Sequence, residues 1–422
     1  MPGLTLVPTH DHGHDHGHDH GHGHGLSFEP LADNVRQSSR IGAEVHLPAS
    51  MPLLDVSQLT EADKDVLRQA LFENQVVVIR NQRGIDPTLL PQLAKVFDST
   101  ASDVHSAGPK AVSDPKNILS AYKAGRIPRA PQVGIIGSGR FKDYEGIADL
   151  EVVHLDHTLF HETPLSQHEL DQGYTRPYRW HMDTPFYERL PGEVTILHAV
   201  QVPELAKQKL KFPNGPDKEI AAGATAFFSG ARAFELLDDD EKEFALNTTV
   251  TYAPQAYEYI RQCRATEDGL TIPTVGRETP VDEVSEWSWD KVAEHPMVWR
   301  NPLDPRPFLQ VHGCCVYKLC TRDPASGQVR VVDDVAQVRK IVYGFQRRIW
   351  AAENIYAHDW KEGDLVIFHN RGVMHSITGQ LAQYQYGEHQ RRLLWQCTMT
   401  SGKAPEAYRK YAGVNETGFA KI

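Results

Sequence analysis

The chain has 422 residues, of which 40% are hydrophobic and 23% are charged, as is usual for a folded globular protein and not for a disordered one. Its 44 Lys and Arg against 55 Asp and Glu give a formal net charge of −11, which argues against a nucleic-acid-binding protein because such proteins present a basic surface to phosphates. No apolar run approaches the roughly 18–20 residues that span a bilayer, and the first residues lack a signal-peptide pattern, so we expect no membrane association.

The cysteine content indicates the compartment. The chain has an odd number of cysteines, five, and Cys314 and Cys315 are adjacent. This spacing suits neither a disulfide framework nor a zinc ribbon. We therefore predict a protein of the reducing cytoplasm.

The N-terminal segment differs from the rest of the chain. Eight histidines alternate with Gly and Asp between His10 and His24, and this stretch has no apolar residue to bury. We expect residues 1–40 to form a disordered tail with incidental affinity for metal ions, since imidazole is a common ligand of transition metals. Residues 41–422 are predicted to form one domain.

The next elements along the chain are helices and a buried strand. Thr60-x-x-Asp63 is a helix N-terminal box, and the apolar residues that follow it recur at helical spacing. The β-branched run Gln75 to Gln82 predicts a buried strand, and Asp86-Pro87 predicts the start of a second helix.

Short strands separated by turn residues dominate the remainder. The segments that predict them are PQVGIIGSGR, YRWHMDTPFY, GEVTILHAVQVP, GATAFFSGA, TTVTYAP, RPFLQVHG, DLVIFHNRG and RRLLWQCTMT. Helices do not alternate with them regularly, and the clearest late helix is predicted over residues 335–354. This pattern favours an antiparallel sandwich or jelly roll over a βαβ sheet.

Two segments carry residues suited to metal chemistry. His181-x-Asp183 lies in YRWHMDTPFY, where side chains two apart on a strand point to the same face. His375 ends the segment WKEGDLVIFHNRGVMH and supplies a second imidazole. Two His and one carboxylate make a facial triad with three open positions. A second H-x-D, His154 with Asp156, leaves an alternative, because a single H-x-D is a weak signal.

A buried cation is predicted on the last strand. Counting in twos from Arg392 places Leu394, Gln396 and Thr398 on one face and Arg391 on the other. A guanidinium inside a sheet sandwich suits a carboxylate ligand, which it binds with two parallel hydrogen bonds.

These segments, in this order, resemble the TauD/TfdA group of Fe(II)- and 2-oxoglutarate-dependent dioxygenases over residues 55–400. The segments that carry the resemblance are VVVIRNQ, WHMDTPFYERLPGEVTILHA, GATAFFSG, HPMVWRNPLDPRPFLQV, FHNRGVMH and QRRLLWQ. The resemblance implies a mainly β fold with helices. Its core would be a cupin-like double-stranded β-helix, or jelly roll, with an N-terminal helical layer and a long insertion.

The resemblance also implies the site. His181, Asp183 and His375 would hold iron, and Thr225 and Arg392 would bind 2-oxoglutarate, with dioxygen as the second co-substrate. Asn370-Arg371 would shape the turn before His375. The chain departs from the family in Phe368-His369 and in a long segment between His375 and Arg392.

Gln396 stands where taurine-type enzymes place a second Arg for a sulfonate, so we expect a substrate with amide-like donors and acceptors. This pattern resembles the fungal xanthine dioxygenase branch, which implies a role in purine metabolism, with xanthine hydroxylated to uric acid. Thr398 and Gln132 are the other predicted substrate residues. The alternatives are a dioxygenase for a sulfonate, a carboxylate or a related heterocycle, and a non-catalytic metal-binding protein.

Overall fold

The computed structural model describes residues 25–104, 125–154, 160–378, 387–409 and 416–420. The histidine-rich segment, Asp156 and residues 379–386, half of the segment between His375 and Arg392, lie outside these ranges. Strand structure begins at Ser27, before the predicted end of the tail at residue 40. The prediction placed this boundary too late because Leu26 is buried and its amide donates to Asp63 Oδ1 (2.9 Å), which anchors the chain ahead of its first strand.

Strands make up most of the described regular structure. In chain order they are β1 (Ser27–Pro30), β2 (Ala43–His46), β3 (Val76–Ile79), β4 (Gly125–Ile127), β5 (Ala130–Tyr144), β6 (Ile147–Val152), β7 (Tyr174–Thr175), β8 (Val194–Gln201), β9 (Gln208–Leu210), β10 (Lys218–Ile220), β11 (Thr225–Ser229), β12 (Thr248–Tyr252), β13 (Glu294–Pro296), β14 (Val298–Arg300), β15 (Pro307–Leu309), β16 (Val316–Arg322), β17 (Val329–Val332), β18 (Tyr356–His358), β19 (Leu365–His369), β20 (Val373–Ile377) and β21 (Arg392–Thr398).

Helices are fewer in the same ranges. The α-helices are Asp33–Arg36, Glu61–Asn74, Leu89–Phe97, Gln167–Asp171, Gly230–Glu235, Asp239–Leu246, Ala256–Tyr259 and Val335–Gln346, and the 3₁₀ turns are Gln37–Ser39, Val56–Gln58, Trp289–Lys291, Arg347–Ile349, Ala352–Asn354 and Glu388–Gln390. None of the helices in the described ranges is long and apolar enough to cross a membrane.

The jelly roll consists of a large and a small sheet that face each other. The strand order is β1-β2-β3-β19-β8-β21-β5-β4 in the large sheet, where β6 also pairs with β5, and β18-β11-β20 in the small sheet. Apolar side chains from the two inner faces share one core; its members include Val76, Leu197, Ala199, Val366, Phe368 and Leu394 from the large sheet and Phe227, Tyr356 and Val373 from the small one. The predicted jelly roll is confirmed.

The predicted N-terminal helices cover the outer face of the large sheet. Thr60 and Asp63 form a reciprocal capping box, so the helix begins where the sequence pattern indicates. Leu67 and Leu71 of this helix and Leu90 and Leu93 of the next pack on outward-facing residues of the sheet, which include Val77, Ile196, Ile367 and Trp395. These helices therefore fix the strands whose inner faces carry the site.

A long insertion separates two strands of the small sheet, as predicted. It runs between β11 and β18 and carries β12 to β17 and the helix Val335–Gln346. That helix was predicted to continue to Asn354, but it ends at Gln346 and is followed by two 3₁₀ turns. The chain turns here because Trp350 packs against Trp180 and Phe212, a tertiary contact that the helical periodicity does not contain.

The segment YRWHMDTPFY is not the regular strand that the sequence predicts. Pro177 and His181 each make an isolated antiparallel bridge, to Thr378 and His375, and Phe186 has a positive φ of 56°. Pro177 and Pro185 lack the amide hydrogens that a continuous ladder needs, which explains the short pairing.

Candidate metal centre and co-substrate pocket

Two histidines face each other across one antiparallel bridge. The His181 amide donates to the His375 carbonyl (3.0 Å), and the His375 amide donates to the His181 carbonyl (2.9 Å). Residues paired in this way point their side chains to the same face of a sheet. The two imidazole centroids are accordingly 4.1 Å apart.

Asp183 completes a group of three ligands. Its Oδ1 lies 3.9 Å from His181 Nε2 and 3.7 Å from His375 Nε2, and one ligand atom from each residue lies within 4.8 Å of the other two. Among the described residues this is the one group of three or more His, Cys, Asp or Glu side chains that is close enough to hold a metal ion. The structure therefore brings together the three residues predicted to bind metal.

The donor set fits a divalent transition metal. His181 Nδ1 lies 2.8 Å from the Arg179 carbonyl, which only an Nδ1–H can satisfy, so Nε2 keeps its lone pair for the site. Asp183 and His375 are buried, whereas the His181 side chain is 24% exposed. Two imidazoles and one carboxylate are the set that would hold Fe(II) with open coordination positions.

The turn before His375 also fixes Asp183. Asn370 Oδ1 accepts from the Asp183 amide (2.8 Å), and Asn370 Nδ2 donates to the carbonyls of Asp183 and Gly192 (both 3.0 Å). Arg371 donates to the carbonyls of Pro191 and Lys403. One amide side chain thus ties the loop of the carboxylate ligand to the strand that carries the second histidine.

His369, one of the positions where the chain departs from the family pattern, contacts Glu193. His369 Nε2 lies 2.9 Å from Glu193 Oε1, and Arg371 lies 3.4 Å from Glu193 Oε2. Burial raises the pKa of Glu193, but the charge of Arg371 and the hydrogen bond with His369 outweigh it and lower that pKa to about 2. The carboxylate therefore stays ionised and holds the base of the turn.

Three side chains converge on the far oxygen of the ligand carboxylate. Asp183 Oδ2 lies within hydrogen-bonding distance of Thr195 Oγ1 (2.8 Å), Gln396 Nε2 (3.0 Å) and Thr398 Oγ1 (3.0 Å). Gln396 and Thr398 were predicted to contact substrate, and the structure places both against the metal-binding carboxylate. Thr195 was missed; its signal in the sequence is a lone hydroxyl on the inward-facing side of the apolar run VTILHA.

Arg392 is a buried cation on the inner face of β21. Its side chain is 3% exposed, and burial lowers its pKa to about 10. Among the described residues no carboxylate pairs with it and no acceptor bonds to it, although an unpaired buried charge is costly. Arg391 points outward, as the strand parity predicts, where it pairs with Glu388 and lies over the Phe141 ring. The environment of Arg392 fits an anionic ligand.

Thr225 lies on the inner face of the opposite sheet. Trp360 Nε1 donates to Thr225 Oγ1 (3.2 Å), and within the described ranges the hydroxyl hydrogen has no acceptor of its own. It can therefore donate to a ligand carboxylate. Trp360 was not anticipated from sequence, because nothing in DWKEGD distinguishes it from an ordinary core tryptophan.

The remaining candidates are less informative. Gln132 is half-buried on β5, two residues from Gly134, which pairs with Gln396, so it shares the inner face with Gln396. No hydrogen bond joins it to the described site residues. His154 is buried, but Asp156 lies outside the described residues, so the alternative pair is not tested.

Comparisons with known proteins agree with this geometry. The family described as "Taurine catabolism dioxygenase TauD, TfdA family" matches residues 27–398. The chain is 36% identical to an alpha-ketoglutarate-dependent xanthine dioxygenase of Emericella nidulans over 87% of this chain and 96% of that protein. It is 37% identical to one of Schizosaccharomyces pombe, over 86% of each.

Solved structures support the fold. A crystal structure of a putative alpha-ketoglutarate-dependent taurine dioxygenase from Burkholderia xenovorans superposes with a TM-score of 0.50 and 15% identity, over 90% of this chain and 91% of that one. The chain belongs to the TauD/TfdA family of Fe(II)- and 2-oxoglutarate-dependent dioxygenases.

Proposed function

We propose that this protein hydroxylates xanthine to uric acid. Three fungal relatives named as xanthine dioxygenases are 36–37% identical over 86–87% of the chain, and this similarity carries the proposal. The neutral amide of Gln396 supports it, because a pocket for an anionic sulfonate needs a cation and a purine needs amide-like partners.

In this proposal His181, Asp183 and His375 hold Fe(II), and Arg392 and Thr225 bind the distal carboxylate of 2-oxoglutarate. When bound, Fe(II), 2-oxoglutarate and dioxygen would supply the oxidation: one oxygen atom enters a substrate C–H bond, and the other enters succinate as 2-oxoglutarate loses CO₂. The Arg392 guanidinium neutralises the buried carboxylate with charge-assisted hydrogen bonds.

The inner core contributes by keeping water out. The Phe368 ring centroid lies 4.7 Å from that of His375, and the ring centroid of Phe227, on β11, lies 6.2 Å from that of His375. Both phenylalanines are fully buried, so the interior side of the centre is apolar. Of the three ligands, His181 is the most exposed to solvent, at 24% of its side chain.

Measuring uric acid and succinate together tests the proposal. With Fe(II), 2-oxoglutarate and xanthine we expect the two products in equal amounts, and neither from His181→Ala. Taurine should not stimulate succinate formation above the level without substrate. Succinate formation that rises with taurine, or with another small metabolite, and not with xanthine would replace xanthine as the substrate.

We also propose that the chain from Ser27 onwards acts as one catalytic domain in the cytoplasm. One family model covers residues 27–398, which supports the single domain. All five cysteines are free thiols and four are buried, as suits a reducing compartment.

A further inference from the structure

The carboxylate of Asp183 uses its two oxygens differently. Oδ1 faces both imidazoles, whereas Oδ2 has three neighbouring donors: the hydroxyls of Thr195 and Thr398 and the amide of Gln396. The two hydroxyls also lie 2.8 Å from each other, so their two hydrogens are shared among three short contacts. The Gln396 amide hydrogen has no such competition, which makes Gln396 the donor fully committed to Oδ2.

This contact fixes the orientation of the Gln396 amide. An ionised carboxylate only accepts hydrogen bonds, so the NH₂ group must face Asp183 and the carbonyl oxygen Oε1 must face elsewhere. No donor among the described residues bonds to Oε1. The cross-strand neighbour of Gln396 on β5 is Gly134, which has no side chain to cover the amide, and Gln396 is only half-buried. Oε1 is therefore available to a molecule next to the metal ligands.

We propose that Gln396 couples substrate recognition to the metal-binding carboxylate. Its Nε2 positions Asp183, so that one oxygen only is left for the metal, and its Oε1 accepts a hydrogen bond from an N–H group of the substrate. The second half rests on the proposed function and deepens it: the ligand is a heterocycle with a ring N–H at this contact. A hydrogen bond to Oε1 polarises the amide and strengthens the bond from Nε2 to Asp183, because linked hydrogen bonds reinforce each other.

The fixed orientation of the Gln396 amide limits which kind of substrate atom can contact it, whereas an amide free to rotate would not. A substrate atom at this contact must be a donor, because turning the amide to offer its NH₂ group would place Oε1 against the Asp183 carboxylate. Xanthine carries several ring N–H groups, and methylation removes them one at a time. Gln396 should therefore discriminate against one methyl derivative only, the one whose methyl group replaces the hydrogen on the nitrogen that contacts Oε1.

Two variants separate the proposed roles. Gln396→Ala removes both the donor to Asp183 and the acceptor to substrate, whereas Thr398→Val removes a donor to Asp183 and leaves the Gln396 amide in place. The first readout is the Fe(II) concentration that half-develops the visible absorption of the 2-oxoglutarate–Fe(II) chelate, without substrate and without oxygen. The second is the ratio of kcat/KM for xanthine to that for its 1-, 3- and 7-methyl derivatives.

We expect both variants to raise the Fe(II) requirement about tenfold, the usual size of an effect through a metal ligand's hydrogen-bonding partner. In wild type and in Thr398→Val, the same one of the three methyl derivatives should have a much lower kcat/KM than xanthine, and this ratio is the methyl penalty. In Gln396→Ala the methyl penalty should fall towards one. An unchanged Fe(II) requirement in Gln396→Ala would show that the amide does not position Asp183. An unchanged methyl penalty would show that Oε1 is not the acceptor. If wild type forms no uric acid, the proposed function and the N–H contact fail together, while the Fe(II) titration still decides the positioning role.

Discussion

His181 and His375, far apart in the sequence, exchange both of their backbone hydrogen bonds with each other. This pair is an isolated bridge to the middle of β20 and not part of a long ladder. It nevertheless fixes how the two imidazoles lie relative to each other. The Asn370 side chain holds Asp183 beside them through hydrogen bonds to the backbone amide and carbonyl of Asp183. The metal centre is thus built on backbone hydrogen bonds, which hold its geometry without the metal.

Replacing Arg392 should affect co-substrate binding and stability in opposite directions. Arg392→Met should raise the KM for 2-oxoglutarate by about 100-fold, the value of charge-assisted hydrogen bonds to a carboxylate. It should also stabilise the protein without 2-oxoglutarate by about 1 kcal/mol, because an unpaired buried cation is removed. Kinetics at varied 2-oxoglutarate and urea unfolding measure the two effects.

Arg391→Met is the matched control for this prediction. Arg391 lies on the outer face, so its loss should change the KM for 2-oxoglutarate by no more than about twofold, as for an exposed ion pair. A larger rise in Arg391→Met than in Arg392→Met would show that the strand parity has been assigned to the wrong arginine.

Asn370→Ala should weaken the metal centre through the position of Asp183. The substitution leaves the Asp183 amide and carbonyl without their partner, so we expect a loss of about 2–4 kcal/mol in unfolding free energy and a weakened 2-oxoglutarate–Fe(II) chelate. Asn301→Ala is the control: the buried Asn301 also makes three hydrogen bonds, with Phe72, Leu303 and Asp304, and bonds no residue of the site. An equal loss of the chelate in both variants would contradict a specific role for Asn370.

Glu193 should make stability depend on acidic pH. Its folded pKa is lowered from 4.5 to about 2 by Arg371 and His369 against the opposing effect of burial. Its contribution, on the order of 2 kcal/mol, is therefore present above about pH 4.5 and is lost as the pH falls towards 2. Glu193→Gln should be less stable than wild type at pH 7, and the gap should close over this window in urea unfolding. A gap that is independent of pH would mean that the charge contributes nothing.

Local patterns predicted much of the frame that supports the site. The Thr60–Asp63 box and the run of valines before Ile79 depend on neighbours in sequence, and both elements form where the pattern indicates. The inward position of Arg392 follows from strand parity alone. The helix end at Gln346 depends on where Trp350 packs, and that information lies outside the helix.

The contacts of the site were less predictable. The facial triad was identified because several motifs occur in the family's order, and a single H-x-D would not have separated His181 from His154. That Gln396 and Thr398 bond to Asp183 requires distances between three segments, which no residue pattern supplies. The role of Thr195 was missed for the same reason, since a threonine is common in any strand.

The most direct test of the account is the visible absorption of the 2-oxoglutarate–Fe(II) chelate, measured without oxygen in single variants that circular dichroism shows to be folded. It tests whether His181, Asp183 and His375 together hold the iron, and the histidine-rich tail is common to all samples. We predict that the band develops in wild type and in His154→Ala and is absent from His181→Ala, Asp183→Ala and His375→Ala. A band that persists in His375→Ala, or that disappears in His154→Ala and survives in His181→Ala, would contradict this assignment.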